Sequence, residues 1–322
     1  MLRLPRFDFA TPATAAEAAA LLADPNAMAV AGGTDVYPKM KRRQFVPRTL
    51  VSLRRVVDGN ISNGDGVRIG AGATLTAIAE HALLREQYRA LADAASVIST
   101  PQLRNMGTLG GNLCLDTRCN WYDQSLFWRK AEGYCMKTHA EVVCRVAPSS
   151  ARCLAVASAD TVPALIALGA MATIANVSGS RQVDIVELYR EDGINYLGLA
   201  RGDIVTEVRL PPARGWRSAY LKLRERGAFD FPIAGVAAAV RREGAEVVAA
   251  RVAITALGSS PKRVDAASEA LIGTRLEDEA IERAAEAVFA AARPMDNTSG
   301  TIAERKRAAR VLTARTLRSL RE

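Results

Sequence analysis

The sequence predicts an α+β protein of several domains, and three observations carry that expectation. Its 322 residues, 49% hydrophobic and 24% charged, are enough for two or three packed cores and argue against wholesale disorder. Helix-like and strand-like patterns alternate as far as a Pro-Pro pair at 211–212. Beyond that pair strands come first and helices after, the order of a separate α+β domain.

Taken in order, AAEAAALLAD (15–24) has an alanine-rich helical pattern and AMAV (27–30) is a short strand. AGGTD is a glycine turn that leads into a helix at VYPKMKRR, and RTLVSL is the next strand. GVRIGAGAT (66–74) gives a strand and a turn, and residues 75–100 carry apolar side chains at helical spacing in a long, broken stretch. ADTVPALIALGA reads as a short helix, MATIANVSGSRQVDIVELY as a hairpin with Ser-Gly-Ser at its turn, and DIVTEVRLPP as a strand stopped by prolines. In the last third, SAYLKLRER is a strand and GVAAAVRREGAEVVAARVAITAL a hairpin turning near Gly244. Helical stretches follow near 264–271, 278–292 and 302–320. The expected division is therefore 1–55, 56–212 and 213–322, with the boundary before the last domain at the two prolines.

No apolar run is long enough to span a bilayer, so no membrane contact is expected. The N-terminal stretch reads as a surface helix interrupted by Thr14 and Glu17 rather than a signal peptide, which places the expected location in the cytoplasm. The net charge of +9 raises nucleic acid as a partner. Its basic residues, however, gather without interleaved aromatics, as Lys39, Lys41, Arg42 and Arg43, and as Arg305, Lys306, Arg307, Arg310, Arg315, Arg318 and Arg321. Solvated faces and an acidic cofactor or partner account for them better, and no nucleic-acid binding is expected.

Two glycine-rich segments are candidate ligand loops. In VAGGTDVYPKM (30–40) a strand enters a Gly-Gly turn and a helix leaves it, an arrangement whose N–H groups suit a pyrophosphate. It is not the G-x-G-x-x-G fingerprint of a nicotinamide site. In RNMGTLGGNL (104–113), Gly107, Gly110 and Gly111 stand with Thr108 and Asn112 as a second donor array. The two would clasp a diphosphate from both sides.

The five cysteines all fall between Cys114 and Cys153, which points to metal or redox chemistry rather than a disulfide framework. Cys119, Cys135, Cys144 and Cys153 have 15, 8 and 8 residues between them. That spacing belongs neither to a zinc ribbon nor to a bacterial ferredoxin run, so a [4Fe–4S] cluster, a structural zinc and unligated thiols all remain open on chemistry alone. With His81 and His139 as the only histidines, no Ser/His/Asp or Cys/His constellation is in view, and no catalytic acid or base is assigned.

AGGTD, GTLGGN and ADTVPAL, in that order, together with YLKLRERGAFDFPIAGVAAAV (220–240), resemble the FAD-binding medium subunit of the molybdenum hydroxylase (xanthine dehydrogenase) family over essentially the whole chain. The resemblance implies a two-subdomain PCMH-type, vanillyl-alcohol-oxidase-like FAD-binding fold, followed by an α+β domain of the CO dehydrogenase flavoprotein type. It further implies that Val30, Ala31, Gly32, Gly33, Thr34 and Asp35, with Thr108, Gly110, Gly111 and Asn112, hold the FAD diphosphate and ribityl chain. Asp160 would bond a polar edge of the cofactor, helix N-capping being its simpler role. Ile204 and Val205 would pack on a ring, and Lys222 would approach the isoalloxazine.

In relatives such as xanthine dehydrogenase the Gly-Gly-Asn segment runs almost directly on to the aspartate, whereas here 47 residues separate Asn112 from Asp160. The phrases DTRC, GYC and a final RC in this insert, 113–157, resemble the β subunit of 4-hydroxybenzoyl-CoA reductase. That resemblance implies a [4Fe–4S] cluster on Cys119, Cys135, Cys144 and Cys153, with Cys114 a packed thiol. It also implies partner chains carrying a molybdenum cofactor and [2Fe–2S] clusters, a dimer of heterotrimers, and ferredoxin or a similar carrier as electron donor. Reductive dehydroxylation of an aromatic CoA thioester would take place in the partner. An aldehyde or N-heterocycle dehydrogenase with the same subunit is the nearer alternative, and a zinc-stabilised binding module the more distant one.

Overall fold

The computed structural model describes residues 3–321; the outermost residues of the expected first and last domains, 1, 2 and 322, lie outside the described residues. The chain opens with β1 (Asp8–Ala10), α1 (Ala15–Leu22), β2 (Ala27–Val30), α2 (Val36–Lys41) and β3 (Thr49–Ser52), whose strands form a parallel sheet in the order β1-β3-β2. Thr14 starts α1 by accepting the Glu17 N–H, while the Glu17 carboxylate accepts the Ala13 N–H. Met40 and Val30 close a small core under this sheet with Leu50.

The middle of the chain runs through β4 (Ile61–Gly64), β5 (Gly66–Gly70), α3 (Leu75–Glu80), α4 (Ala82–Gln87), α5 (Arg89–Ser96), α6 (Pro101–Arg104), α7 (Leu109–Leu113), α8 (Leu126–Ala131), α9 (Thr161–Leu168), β6 (Met171–Asn176), β7 (Gly179–Asp184) and β8 (Ile204–Leu210). Its strands make an antiparallel sheet in the order β4-β5-β8-β6-β7. Every residue of α9 is buried, so this helix is the axis of the largest core. The long helical stretch breaks at His81 and Tyr88, where the backbone leaves the α-region.

The last third holds β9 (Trp216–Leu223), β10 (Ala234–Glu243), β11 (Glu246–Thr255), β12 (Lys262–Arg263), α10 (Asp265–Glu269), α11 (Asp278–Ala291) and α12 (Ile302–Arg318), with strands in the order β12-β11-β10-β9. Along β10, Val236, Ala238 and Val240 join the core that includes residues of α11 and α12, while Ala237 and Ala239 join the core around α9. Alanine on both faces lets this sheet be covered on both sides. That packing brings β9 against the middle of the chain.

Two readings change. GTLGGN is not a loop: Thr108 caps α7, which contains both glycines and Asn112. The basic clusters are not simply solvated faces either, because Lys39 and Arg305 are fully buried, and Arg310, Arg318 and Arg321 pair with Asp278, Glu282 or Glu286. Among the described residues no helix is long and apolar enough to cross a membrane.

Candidate functional site

A cleft of about 520 Å³ opens where the glycine turn after β2, the start of α7, the end of α9 bearing Asp160, and the loop after β9 meet. Ala31, Gly32, Gly33, Thr34, Asp35, Thr108, Gly110, Gly111, Asn112, Asp160, Ile204 and Val205 line it. Val30 does not; it is buried in the small core with Met40 and Leu50. Lys222 does not either, and stands one layer behind Asp160.

The two glycine segments touch. A Cβ on Gly32 would fall 1.8 Å from the Met106 carbonyl oxygen, so the close approach depends on its absence. Gly33 adopts φ +73°, and a Cβ there would meet the Tyr37 ring at 2.3 Å. The N–H groups of Gly32, Gly33, Thr34 and Asp35 donate to no acceptor among the described residues, so four consecutive donors stand unclaimed at the cleft wall. The second segment is different. The Gly107 N–H donates to Leu103 O at 2.7 Å, Gly110 N–H to Ala71 O at 2.8 Å, and Gly111 N–H to the Thr108 hydroxyl at 3.1 Å. Its contribution is shape, the Thr108 N–H, which donates to no acceptor among the described residues, and the Asn112 amide, whose Oδ1 accepts from the Thr161 hydroxyl at 2.6 Å. The two sides therefore contribute unequally, four free N–H groups from the first segment and the Thr108 N–H from the second.

Asp160 makes no side-chain capping bond to α9. It accepts from the Tyr220 hydroxyl at 2.6 Å and from Lys222 Nζ at 3.1 Å, both on β9. Burial raises the Asp160 carboxyl and lowers the Lys222 ammonium, and each opposes that effect in the other. The pair thus fixes a polar edge of the cleft while tying the start of α9 to β9.

Several lining residues were not singled out from the sequence: Asp116, Arg118, Tyr196, Phe229 and Phe231. Arg118 bonds Asp35 and lies 4.3 Å from the Phe231 ring centre, which joins the first and last thirds of the chain across the cleft. Its place beside Cys119 in the phrase DTRC was the one available signal. Phe229 holds φ +55°, fixed by its N–H bond to Ser99 O at 2.9 Å.

The cysteine segment adjoins the cleft. Cys119, Cys135 and Cys153 pack with Tyr122 and Ala155, and Cys144 is buried as well; all are free thiols. Burial pushes Cys119 up to about 12 and Cys153 up to about 11, opposed by the N–H groups of Trp121 and Tyr122 at the first sulfur and of Ala155 at the second. Cys114 lines the cleft instead, and burial pushes its thiol up to about 11. His139 is stacked on Tyr134 with ring centres 3.7 Å apart, and His81 joins two helices. Among the described residues no group of three or more His, Cys, Asp or Glu is arranged to hold a single metal ion.

Between the cysteines and the cleft lies a buried ionic network. Asp116 accepts from Lys39 Nζ at 2.7 Å and from Lys137 Nζ at 2.6 Å, and the two ammonium groups lie 4.5 and 4.6 Å from the centre of the Tyr122 ring. Burial alone would raise the Asp116 carboxyl, but Lys137 and Lys39 outweigh it and hold it at about 2. A carboxyl depressed from 3.8 to about 2 adds stability above its unfolded value and loses it as pH falls through the folded one. Acid titration of unfolding should therefore show about 2 kcal/mol lost between about pH 4 and pH 2. Asp116→Asn should flatten that slope; an unchanged slope would count against the network.

Residues 5–213 match the family described as the FAD binding domain in molybdopterin dehydrogenase, and residues 218–320 match the CO dehydrogenase flavoprotein C-terminal domain. The FAD-binding subunit of an aldehyde oxidoreductase from Escherichia coli is 29% identical over 94% of this chain and 95% of its own. The medium chain of carbon monoxide dehydrogenase from Hydrogenophaga pseudoflava is 28% identical over 92% of this chain and 90% of its own. A crystal structure of that organism's carbon monoxide dehydrogenase, lacking the Mo-pyranopterin moiety of its cofactor, superposes with a TM-score of 0.81 at 26% identity, covering 99% of each chain.

Proposed function

The chain belongs to the family of FAD-binding domains of molybdopterin dehydrogenases, and from that premise we propose that it is the FAD and [4Fe–4S] electron-transfer subunit of a molybdenum-containing hydroxylase or reductase complex. It is an oxidoreductase subunit by kinship. Bound FAD supplies one- and two-electron chemistry, and a cluster one-electron transfer. The observation that carries the reading is the adjacency of two sites: a cleft with four free N–H donors, and four buried cysteines reached through Asp116 and Tyr122.

The residues fit both groups. The unclaimed N–H groups of Gly32, Gly33, Thr34 and Asp35 suit a diphosphate, and Ile204 and Val205 supply an apolar wall for a ring. Lys222 acts through Asp160, keeping its carboxylate oriented at the cleft edge. At the cysteines, the Ala155 N–H donates to Cys153 Sγ at 3.5 Å, a contact of the kind that tunes iron–sulfur sites. Cys119, Cys135 and Cys153 share one small core and Cys144 is buried as well; a cubane, which takes each thiolate on a different iron, would use all four.

The phrases DTRC, GYC and the final RC support a complex like 4-hydroxybenzoyl-CoA reductase, with reductive dehydroxylation of an aromatic CoA thioester in the molybdenum chain. A second reading, an aldehyde or N-heterocycle dehydrogenase, is favoured by relatives named as aldehyde oxidoreductase and nicotinate dehydrogenase subunits. In either case the partners are a molybdenum-cofactor chain and a [2Fe–2S] chain, assembled as a dimer of heterotrimers and served by ferredoxin or a similar carrier. The division at 1–55, 56–212 and 213–322 with its insert at 113–157 belongs to the same proposal, as does a cytoplasmic setting that keeps the five thiols reduced.

An anaerobic visible spectrum with metal and flavin analysis tests the reading: about four irons and one FAD per chain are expected, whereas zinc without flavin would overturn it. Cys135→Ser should take iron from about four per chain to near zero while FAD stays bound. Loss of FAD alongside the iron would count against two separable sites.

A further inference from the structure

The cysteine segment is anchored from outside itself, and we propose that Asn297, held by Arg305, is the positioning residue for Cys119 and Cys153. The segment leaves and rejoins the body of the chain through two short stretches. They pair where Arg118 N donates to Val156 O at 2.8 Å and Val156 N to Arg118 O at 2.7 Å. Cys119 and Cys153 sit just inside that pairing. Asn297, fully buried, joins the two stretches: its main-chain carbonyl accepts the Asn120 N–H at 2.7 Å, and its side-chain Nδ2 donates to Leu154 O at 2.6 Å. It thus bonds the residue next to each cysteine.

Arg305 explains why Asn297 keeps its place. It projects from α12 with no exposed surface, and its guanidinium donates to Met295 O at 2.6 Å, to Asn297 Oδ1 at 3.4 Å and to Ala256 O. A guanidinium that meets only carbonyl and amide oxygens is an organiser of backbone rather than half of an ion pair. Ala256 in turn donates its N–H to Ala157 O at 2.9 Å, so the same guanidinium supports the rejoining stretch a second time. Among the described residues no hydrogen bond links Cys135 or Cys144 to the chain beyond residue 213. The four cysteines therefore divide into a pair fixed by the C-terminal third and a pair carried by the insert's own loops.

The role as a cluster-positioning residue rests on the [4Fe–4S] reading; the anchoring does not, and the test separates them. In the full chain with FAD bound and metal removed by chelation, cysteine labelling with N-ethylmaleimide is followed residue by residue by mass spectrometry. Asn297→Leu removes the side-chain bonds to Leu154 O and Arg305 and keeps the main-chain carbonyl, so it should speed labelling of Cys153 about tenfold, the change that losing one net hydrogen bond corresponds to, raise Cys119 less, and leave Cys135 and Cys144 unchanged. If that variant fails to fold, Asn297→Asp keeps an acceptor toward Arg305 and replaces only the donor toward Leu154 O, and should free Cys153 selectively. Labelling that is unchanged, or raised equally at all four cysteines, overturns the proposal. Selective labelling in a chain whose native form holds no iron would keep the anchor and overturn the cluster.

Discussion

Asp160→Ala is expected to destabilise the protein by about 3–5 kcal/mol, because it strands the Lys222 ammonium in a buried site. Lys222 and Asp160 are 2% and 4% exposed at their side chains, and Tyr220, which donates to the same carboxylate, is 4% exposed. Removing the carboxylate leaves the Tyr220 hydroxyl without its acceptor and a buried cation without its counter-charge, held only by the Asp230 carbonyl at 3.1 Å. Most of the loss should come from that stranding rather than from the worth of the pair itself. The double variant Asp160→Leu with Lys222→Met should therefore recover to within about 1–2 kcal/mol of the parent. Urea unfolding of the three chains, with bound flavin counted, measures both effects. A single-variant cost below about 1 kcal/mol would mean the pair is not buried as described. A double variant as unstable as the single would place the cost in packing.

Gly32→Ala should be nearly as damaging, by a different route. The new methyl group would lie 1.8 Å from Met106 O and 2.7 Å from Met106 C, which is backbone and cannot swing aside. Overpacking of this kind costs about 3 kcal/mol where nothing gives, and the same displacement of the N–H array should weaken FAD binding about 100-fold. Gly111→Ala is the control. Its Cβ would meet only the Thr108 hydroxyl oxygen, at 3.0 Å, and would otherwise enter the cleft. It should leave stability within about 1 kcal/mol while still reducing flavin affinity. Flavin fluorescence titration and thermal unfolding separate the two glycines. Equal behaviour of the two variants would show that the contact between the glycine segments is not what sets the donor array.

The elements with strong local signals were readable before any fold was known. Alanine and leucine at helical spacing gave α1, α11 and α12, and alternating or continuous apolar runs bounded by glycine gave β5, β10 and β11. Short pieces were not readable. β1 is three residues, Asp8–Ala10, and takes its parallel pairing with β3 from a partner some forty residues away. α7 carries two adjacent glycines, which disfavour helix and make the segment look like a ligand loop. Thr108 capping and the bonds from Leu109 and Gly110 to Ala73 and Ala71 outweigh that propensity. The buried lysine, Lys39, was likewise hidden: a cation beside a glycine turn looks solvent-facing until Asp116, 77 residues on, is brought to it.

By itself the sequence determined the α+β class, the order of the glycine segments, the family resemblance and the gathering of four cysteines within 119–153, since each is written in local pattern or spacing. The tertiary structure alone decided what those features do to one another. It made the first glycine segment the main donor and spent the glycines of the second on packing, because a backbone N–H is free only if no neighbouring acceptor reaches it. It set Lys222 behind Asp160, and it tied the stretches bearing Cys119 and Cys153 to Asn297. The last two are contacts between residues 60 or more positions apart, and no local propensity encodes them.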